Sequence, residues 1–308
     1  MTTEYKNLTT TLSCDKFHDK IWDYQRTMTA LLRSTEKPPM NAAIISTDDS
    51  ETPIYLWGSK DKTTVYWYSE AEHPKLEEDC KELFGWCDAL SDISGLADFD
   101  TSGVKNMTTM FSVCTKLKDL TPLSHWDTSN VTNLGGMFCN CVYLMQLNGL
   151  EKWDTSNVTD MDAIFFNCHS LIDISALSSW DTSKVTTMSN LFAFCYFLND
   201  LKGIDHFDMR NVTDIDGMFA FDKRLTELTE LRNWDVSNIA DMSGMFQGCK
   251  RLSDASAIND WDIPNGANLK MMFRLCPSKP LFSKKTGTWD KEGSFVPAIE
   301  RTQNARNR

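Results

Sequence analysis

A phenylalanine stands every 27 residues through the body of this chain, at Phe84, Phe111, Phe138, Phe165, Phe192, Phe219, Phe246 and Phe273. No insertion interrupts the series, and its neighbours keep the same register. The residue before each Phe is apolar, from Leu83 and Met110 through to Met272. Three positions after it stand Cys87, Cys114, Cys141, Cys168, Cys195, Asp222, Cys249 and Cys276. An aromatic residue followed by Asp closes each unit, as at Phe99-Asp100, Trp126-Asp127, Trp153-Asp154 and Trp234-Asp235. One such unit cannot bury its apolar face alone, so successive units must stack and share a core. Ten Trp and seventeen Phe among 308 residues need that core, which excludes global disorder.

Within a unit, Met161, Ile164, Phe165 and Cys168 fall at offsets 0, 3, 4 and 7, which predicts a short helix of about two turns. Leu171, Ile174 and Leu177 read as an extended, bending side. Asp181-Thr182-Ser183-Lys184 reads as a turn, because Asp, Thr and Ser side chains satisfy local backbone donors, and Val185 returns the chain to the core.

The string Trp153-Asp154-Thr155-Ser156-Asn157-Val158-Thr159-Asp160-Met161, followed by Ile164-Phe165 and Cys168, recurs as Trp234-Asp235-Val236-Ser237-Asn238-Ile239 with Met242, Met245, Phe246 and Cys249. It resembles the BspA-like leucine-rich repeats of mycoplasma and lactobacillus surface proteins, over roughly residues 80–295. The resemblance implies an extended binding surface, often in adhesion, with no catalytic residues. The expected fold is therefore an α/β solenoid, leucine-rich-repeat-like, with 27-residue rungs each carrying a short strand and a short helix, capped at both ends. Family membership would place such a chain at the cell surface. Met1 to Lys20 holds no apolar run, however, which predicts neither a secretory signal nor a spanning helix and suggests a cytoplasmic chain.

The expected organisation is a helix and linker over residues 1–50, a hairpin cap over 51–79, the repeats over 80–276, and a C-terminal cap with a disordered tail over 277–308. The helix would span residues 15–34, with Phe17, Ile21, Trp22, Met28, Leu31 and Leu32 on one face until Pro38 and Pro39 break it. Ile54 to Trp57 and Thr64 to Tyr68, around Gly58 to Lys62, read as the hairpin. Pro277 and Pro280 end the repeats, and the tail from Arg301 to Arg308 has no apolar anchor.

No catalytic constellation stands out. The five His residues (His18, His73, His125, His169 and His206) sit in no metalloprotease or nucleophile motif, and no phosphate or dinucleotide loop occurs. No enzyme and no cofactor is expected. Seven of the ten Cys share the repeat column and none has metal-finger spacing, so buried thiols packing as small hydrophobes are expected, with zinc or redox chemistry as the alternative. Asp columns raise a calcium alternative. Units about 5 Å apart would bring like charges into repulsion of roughly 0.8 kcal/mol per pair even at water's dielectric. Local backbone donors to each Asp are the expected compensation, and calcium is disfavoured without a D-x-D-x-D loop. The sequons at Asn7, Asn106, Asn130, Asn157 and Asn211 read as products of repetition.

The columns that vary in polarity suggest where a partner binds. In unit order, the positions just after the Cys column give an apolar and aromatic centre of Val142, Tyr143, Met145, His169, Ile172, Tyr196 and Phe197. Lys116 and Lys118 precede it, and Lys223, Arg224, Lys250 and Arg251 follow it. Exposed aromatics with a charged rim have the composition of an interface hot spot, the alternative being that some pack inward. With 31 basic against 43 acidic residues and a net charge of -12, nucleic acid is an unfavourable partner. A non-enzymatic protein-binding scaffold is the expected function. The alternatives are a cytoplasmic regulatory, inhibitor or sensor subunit of a larger complex, and an acidic mimic of nucleic acid.

Overall fold

The structure, a computed structural model, describes residues 6–298. At the N-terminal end, β1 (Thr11–Leu12) leads into α1 (Cys14–Ile21), whose first turn is capped by Ser13 Oγ accepting from the Lys16 amide. Phe17 and Ile21 bury one face of α1. The helix does not reach residue 34. The chain turns over 22–27 and becomes β2 (Ala30–Arg33), which pairs in parallel with β5 (Thr64–Tyr68). On its other edge the Leu31 amide donates to Asp92 O, and Ser91 donates to Thr29 O. A strand at this position bonds to both sides, which a helix cannot do, and tertiary pairing overrides the helical spacing. Leu31 is consequently buried while Trp22, read as its helical neighbour, is 72% exposed.

β5 also forms an antiparallel hairpin with β4 (Tyr55–Gly58), and β3 (Ala43–Ile44) completes a four-stranded sheet in the order β2-β5-β4-β3. β6 (Lys75–Leu76) pairs in parallel with β1. The sheet meets the first repeat closely: Trp67 Nε1 donates to Gly95 O at 2.8 Å. A Cβ on Gly95 would lie 2.6 Å from Leu31 O, so only glycine fits there.

The repeats hold neither the helices nor the strands expected of them. Among the described residues α1 is the one α-helix, and from 80 to 276 the chain consists of turns, short 3-10 segments such as Ser175–Ser179, isolated bridges and irregular stretches between them. The expectation of an α/β solenoid with a strand and a helix in each rung is overturned. The reason lies in the backbone. Ala163 and Asn167 have φ of +53° and +61°, and positive φ recurs in both columns, at Glu82, Thr109, Gly136, Asn190, Gly217, Gly244 and Met271 and at Trp86, Val113, Asn140, Phe194, Phe221, Gly248 and Leu275. Two left-handed residues four positions apart in each unit break any right-handed helix there.

Alternate amides then point out of the unit. Met161, Ala163, Phe165 and Asn167 donate to the carbonyls of Thr187, Ser189, Leu191 and Ala193 in the next unit, while Phe166 and Cys168 close turns onto Ala163 and Phe165. Four bonds of the first kind run from each unit to its successor, and return bonds, such as Thr159 N–H to Thr132 O and Ile172 N–H to Met145 O, run the other way. Single parallel bridges at the same period (Asn106 to Asn133 to Asp160 to Thr187 to Asp214 to Asp241 to Asn268) complete the join.

The 0, 3, 4, 7 residues still face inward: Met161, Ile164, Phe165 and Cys168 are all buried. Phe111, Phe138, Phe165 and Phe192 stack with centroids 5.7 to 5.9 Å apart, and Trp126, Trp153 and Trp180 do so at 6.4 to 6.5 Å.

Both ends of the pile are covered. Gln25 and His18, from the N-terminal segment, bond to the Gly85 and Glu82 carbonyls at 2.8 and 2.9 Å. At the other end β7 (Gly287–Trp289) and β8 (Phe295–Pro297) form a hairpin whose Trp289 packs edge-on against Phe273. There Phe273 donates to Gly293 O and Met271 to Ser294 Oγ. Residues 301–308, expected to be disordered, lie outside the described residues.

Candidate functional site

The polar tips of the buried columns have fixed partners. From Cys114 onward each column Cys donates its thiol to the Phe carbonyl of the preceding unit, as Cys141 does to Phe111 O at 3.3 Å and Cys168 to Phe138 O at 3.2 Å. The Trp indoles follow the same rule, Trp153 donating to Leu123 O at 3.1 Å. The ten Cys are free thiols; a hydrogen bond with Cys249 lowers the ionisation of Cys276, whereas burial raises that of Cys114, Cys141, Cys168 and Cys195 and pushes Cys87 to about 12, with Asp88 adding to the effect. Such thiols are poor nucleophiles.

The closing Asp residues from Asp100 to Asp235 accept from the backbone two residues on, Asp154 taking the Ser156 amide at 3.0 Å and Asp181 the Ser183 amide at 2.8 Å, while Asp262 is followed there by Pro264, which has no N–H. Hydrogen bonds from the Ser156 hydroxyl and amide hold Asp154 below the usual carboxylate range. The second column behaves alike, Asp173 accepting from Ser175 and Asp254 from Ser256. Among the described residues no three His, Cys, Asp or Glu gather as a metal site. The sequon residues Asn130, Asn157 and Asn211 donate side-chain N–H to the preceding unit, while Asn106 belongs to the bridge column instead.

The variable columns come together on one face. Tyr143, Met145, Ile172 and Phe197 are 45%, 50%, 40% and 42% exposed, and Val142, His169 and Tyr196 are half-buried beside them. His169 stacks on Tyr196 at 4.4 Å. Burial, with Lys223 adding to it, lowers the pKa of His169, so its ring is neutral at pH 7. The flanking cations lean onto the rings: Lys116 and Lys118 Nζ lie 4.4 and 5.6 Å from the centre of Tyr143, Lys223 Nζ 3.5 Å from that of Tyr196, and the Arg224 guanidinium 4.3 Å from that of Phe197. Lys250 and Arg251 are exposed one unit further on, with no ring beneath them.

Two features were not read from the sequence. Phe166, Phe194 and Phe221 form a second aromatic cluster, with Phe194 stacked on Phe221 at 4.7 Å and edge-on to Tyr196 at 6.2 Å. Their position just before the Cys column was a usable signal. The other is a cleft of about 610 Å³ between α1 and the first unit, lined by His18, Asp19, Trp22, Gln25, Arg26 and Trp86 among others. It was hidden because Trp22 was assigned to a buried helical face.

The architecture is that of a tandem-repeat protein with a core of stacked columns and one cation-and-aromatic face. A family described as "Mycoplasma protein of unknown function, DUF285" matches residues 78–193, 140–228 and 220–293, and the chain belongs to that family. No curated protein and no solved structure matches the chain. No helix among the described residues is long and apolar enough to cross a membrane.

Proposed function

We propose that the chain is a non-enzymatic binding scaffold that engages another protein through the face built on Tyr143, Met145, Ile172, Tyr196 and Phe197. The supporting observation is their exposure. The same unit positions elsewhere carry Lys, Arg or other polar residues such as Thr115, Asn199, Thr226 and Ser253, so nothing in the stacking requires large apolar groups there, and water disfavours them unless a partner covers them. The units are joined by backbone bonds, so the face is rigid and loses little freedom on binding. Kinship with the BspA-like repeats, on the strength of the Trp153–Met161 string, belongs to the same reading and is in keeping with a role in recognition.

A photo-crosslinking amino acid in place of Val142, followed by mass spectrometry of adducts formed in the source organism, identifies the partner. With that partner purified, Tyr143→Ala and Phe197→Ala are expected to weaken binding by about 1–3 kcal/mol each, as interface aromatics do. Neutralising Lys250 and Arg251 is expected to change association rate and salt dependence more than complex lifetime. If both Ala variants bind like the parent while Trp22→Ala or Trp86→Ala abolishes binding, the site is the N-terminal cleft instead.

A further inference from the structure

Lys116, Lys118, Lys223, Arg224, Lys250 and Arg251 are exposed on a protein of net charge -12, and none takes part in an ion pair among the described residues. Some exposed cations elsewhere find partners, as Lys105 does with Glu78, Lys202 with Asp200 and Arg210 with Asp208, while others such as Lys152 and Arg232 take part in no ion pair among the described residues. Four of the six unpaired cations are instead held over ring faces, with Lys118 also reaching Tyr143. A ring under a cation restricts the side chain without neutralising it, so the charge stays available to an incoming anion.

The cations form two groups. Lys116 and Arg224 occupy the same unit position four units apart, and at about 4.8 Å per unit the groups are separated by about 19 Å. Met145, Ile172 and Phe197 stand exposed between them, and the neutral His169 adds no charge there. An extended peptide advances about 3.3–3.6 Å per residue, so about five or six residues bridge that gap.

Resting on the docking face proposed above, we infer that its occupant is an extended peptide segment lying along the stack, with carboxylates at both ends of an apolar middle of about five residues. A polynucleotide fits less well. The ring faces on which bases would stack already carry cations, and the acidic column of Asp119, Asp173, Asp200, Glu227 and Asp254 beside the face repels a continuous polyphosphate.

The test is fluorescence anisotropy of the full chain with a dye-labelled peptide of about three Glu, five alternating Leu and Val, and three Glu. Binding is expected to weaken with salt, to fall at least about tenfold when Glu is replaced by Gln, and to fall similarly when the middle is cut to about two residues. The pair Lys116→Glu and Lys118→Glu, checked for an unchanged melting temperature, should lose the acidic peptide and recover a peptide whose matching end is Lys. Equal binding of the Gln peptide would overturn the acidic occupant while leaving an apolar docking face. Tighter binding of a single-stranded oligonucleotide would replace the peptide by a polyphosphate. Binding unaffected by Phe197→Ala and by the charge reversals would place the peptide elsewhere and sink the inference, while the crosslinked partner still tests the face itself.

Discussion

Asp222 is the residue at which the repeat departs most from its own rule. It stands where seven other units have Cys, it is fully buried, and neither carboxyl oxygen has a hydrogen-bond partner. Burial holds its pKa well above the ordinary 3.8, which favours the protonated form in the folded protein. Between 3.8 and the raised value the unfolded chain has lost the proton that the folded chain keeps. Stability from this group is therefore full below about pH 4 and declines as pH rises. Asp222→Cys supplies a thiol that can donate to Phe192 O as its neighbours do. The variant is expected to be more stable by about 1–3 kcal/mol at neutral pH, the cost of an unsatisfied buried polar group, with a gap that widens from pH 4 to pH 8 in parallel urea titrations. A gap that is flat with pH would mean that Asp222 is ionised when buried. Thiol labelling belongs to the same scale. The buried Cys of the column are expected to stay unlabelled in the native protein, with Cys139 and Cys276, both half-buried, labelled first and all ten labelled in denaturant.

At the scale of the element, the offsets 0, 3, 4 and 7 describe two structures equally well. A two-turn helix and a pair of turns with left-handed residues both place Met161, Ile164, Phe165 and Cys168 on one side. The burial of these residues was thus legible in sequence and their backbone was not. The distinguishing signal was weak because only Gly136, Gly217, Gly244 and Gly248 mark the left-handed columns openly, alongside Asn140, Asn167 and Asn190, which tolerate positive φ. Val113 does not tolerate it. A β-branched residue at φ +65° is strained, so Val113→Asn is expected to stabilise the chain by about 1 kcal/mol in chemical denaturation, the saving in backbone strain exceeding the loss of a half-buried side chain. A loss of stability would assign Val113 to packing. The same limit applies to the candidate site. Its residues could be listed from their columns, but the resting of Lys223 on Tyr196 and of Arg224 on Phe197 depends on how neighbouring units superpose, which a one-dimensional period does not reveal.

For the whole molecule, the bonds and ring stacks of the repeats link each unit to its immediate neighbours, so the period matters more than the number of units. Removing residues 153–179 joins Lys152 to Trp180 in register and is expected to leave a cooperatively melting protein with native near-ultraviolet dichroism. Removing one residue fewer shifts every later column against its predecessor and is expected to abolish that signal. Equal behaviour of the two deletions would show that the columns do not act as a lattice.

Along the turn columns the inter-unit amide bonds all run one way, while the return bonds lie elsewhere in the unit. In these columns each unit presents N–H groups to its successor and carbonyls to its predecessor, four to a junction, leaving a partly negative carbonyl edge at the first unit and a partly positive amide edge at the last. Gln25 at one end and the Gly293 carbonyl at the other meet those charges with groups of opposite polarity. Without them, the carbonyl edge of one molecule would match the amide edge of another, and head-to-tail joining of that kind has no natural stopping point. The end segments thus cover both edges and block that mode of joining.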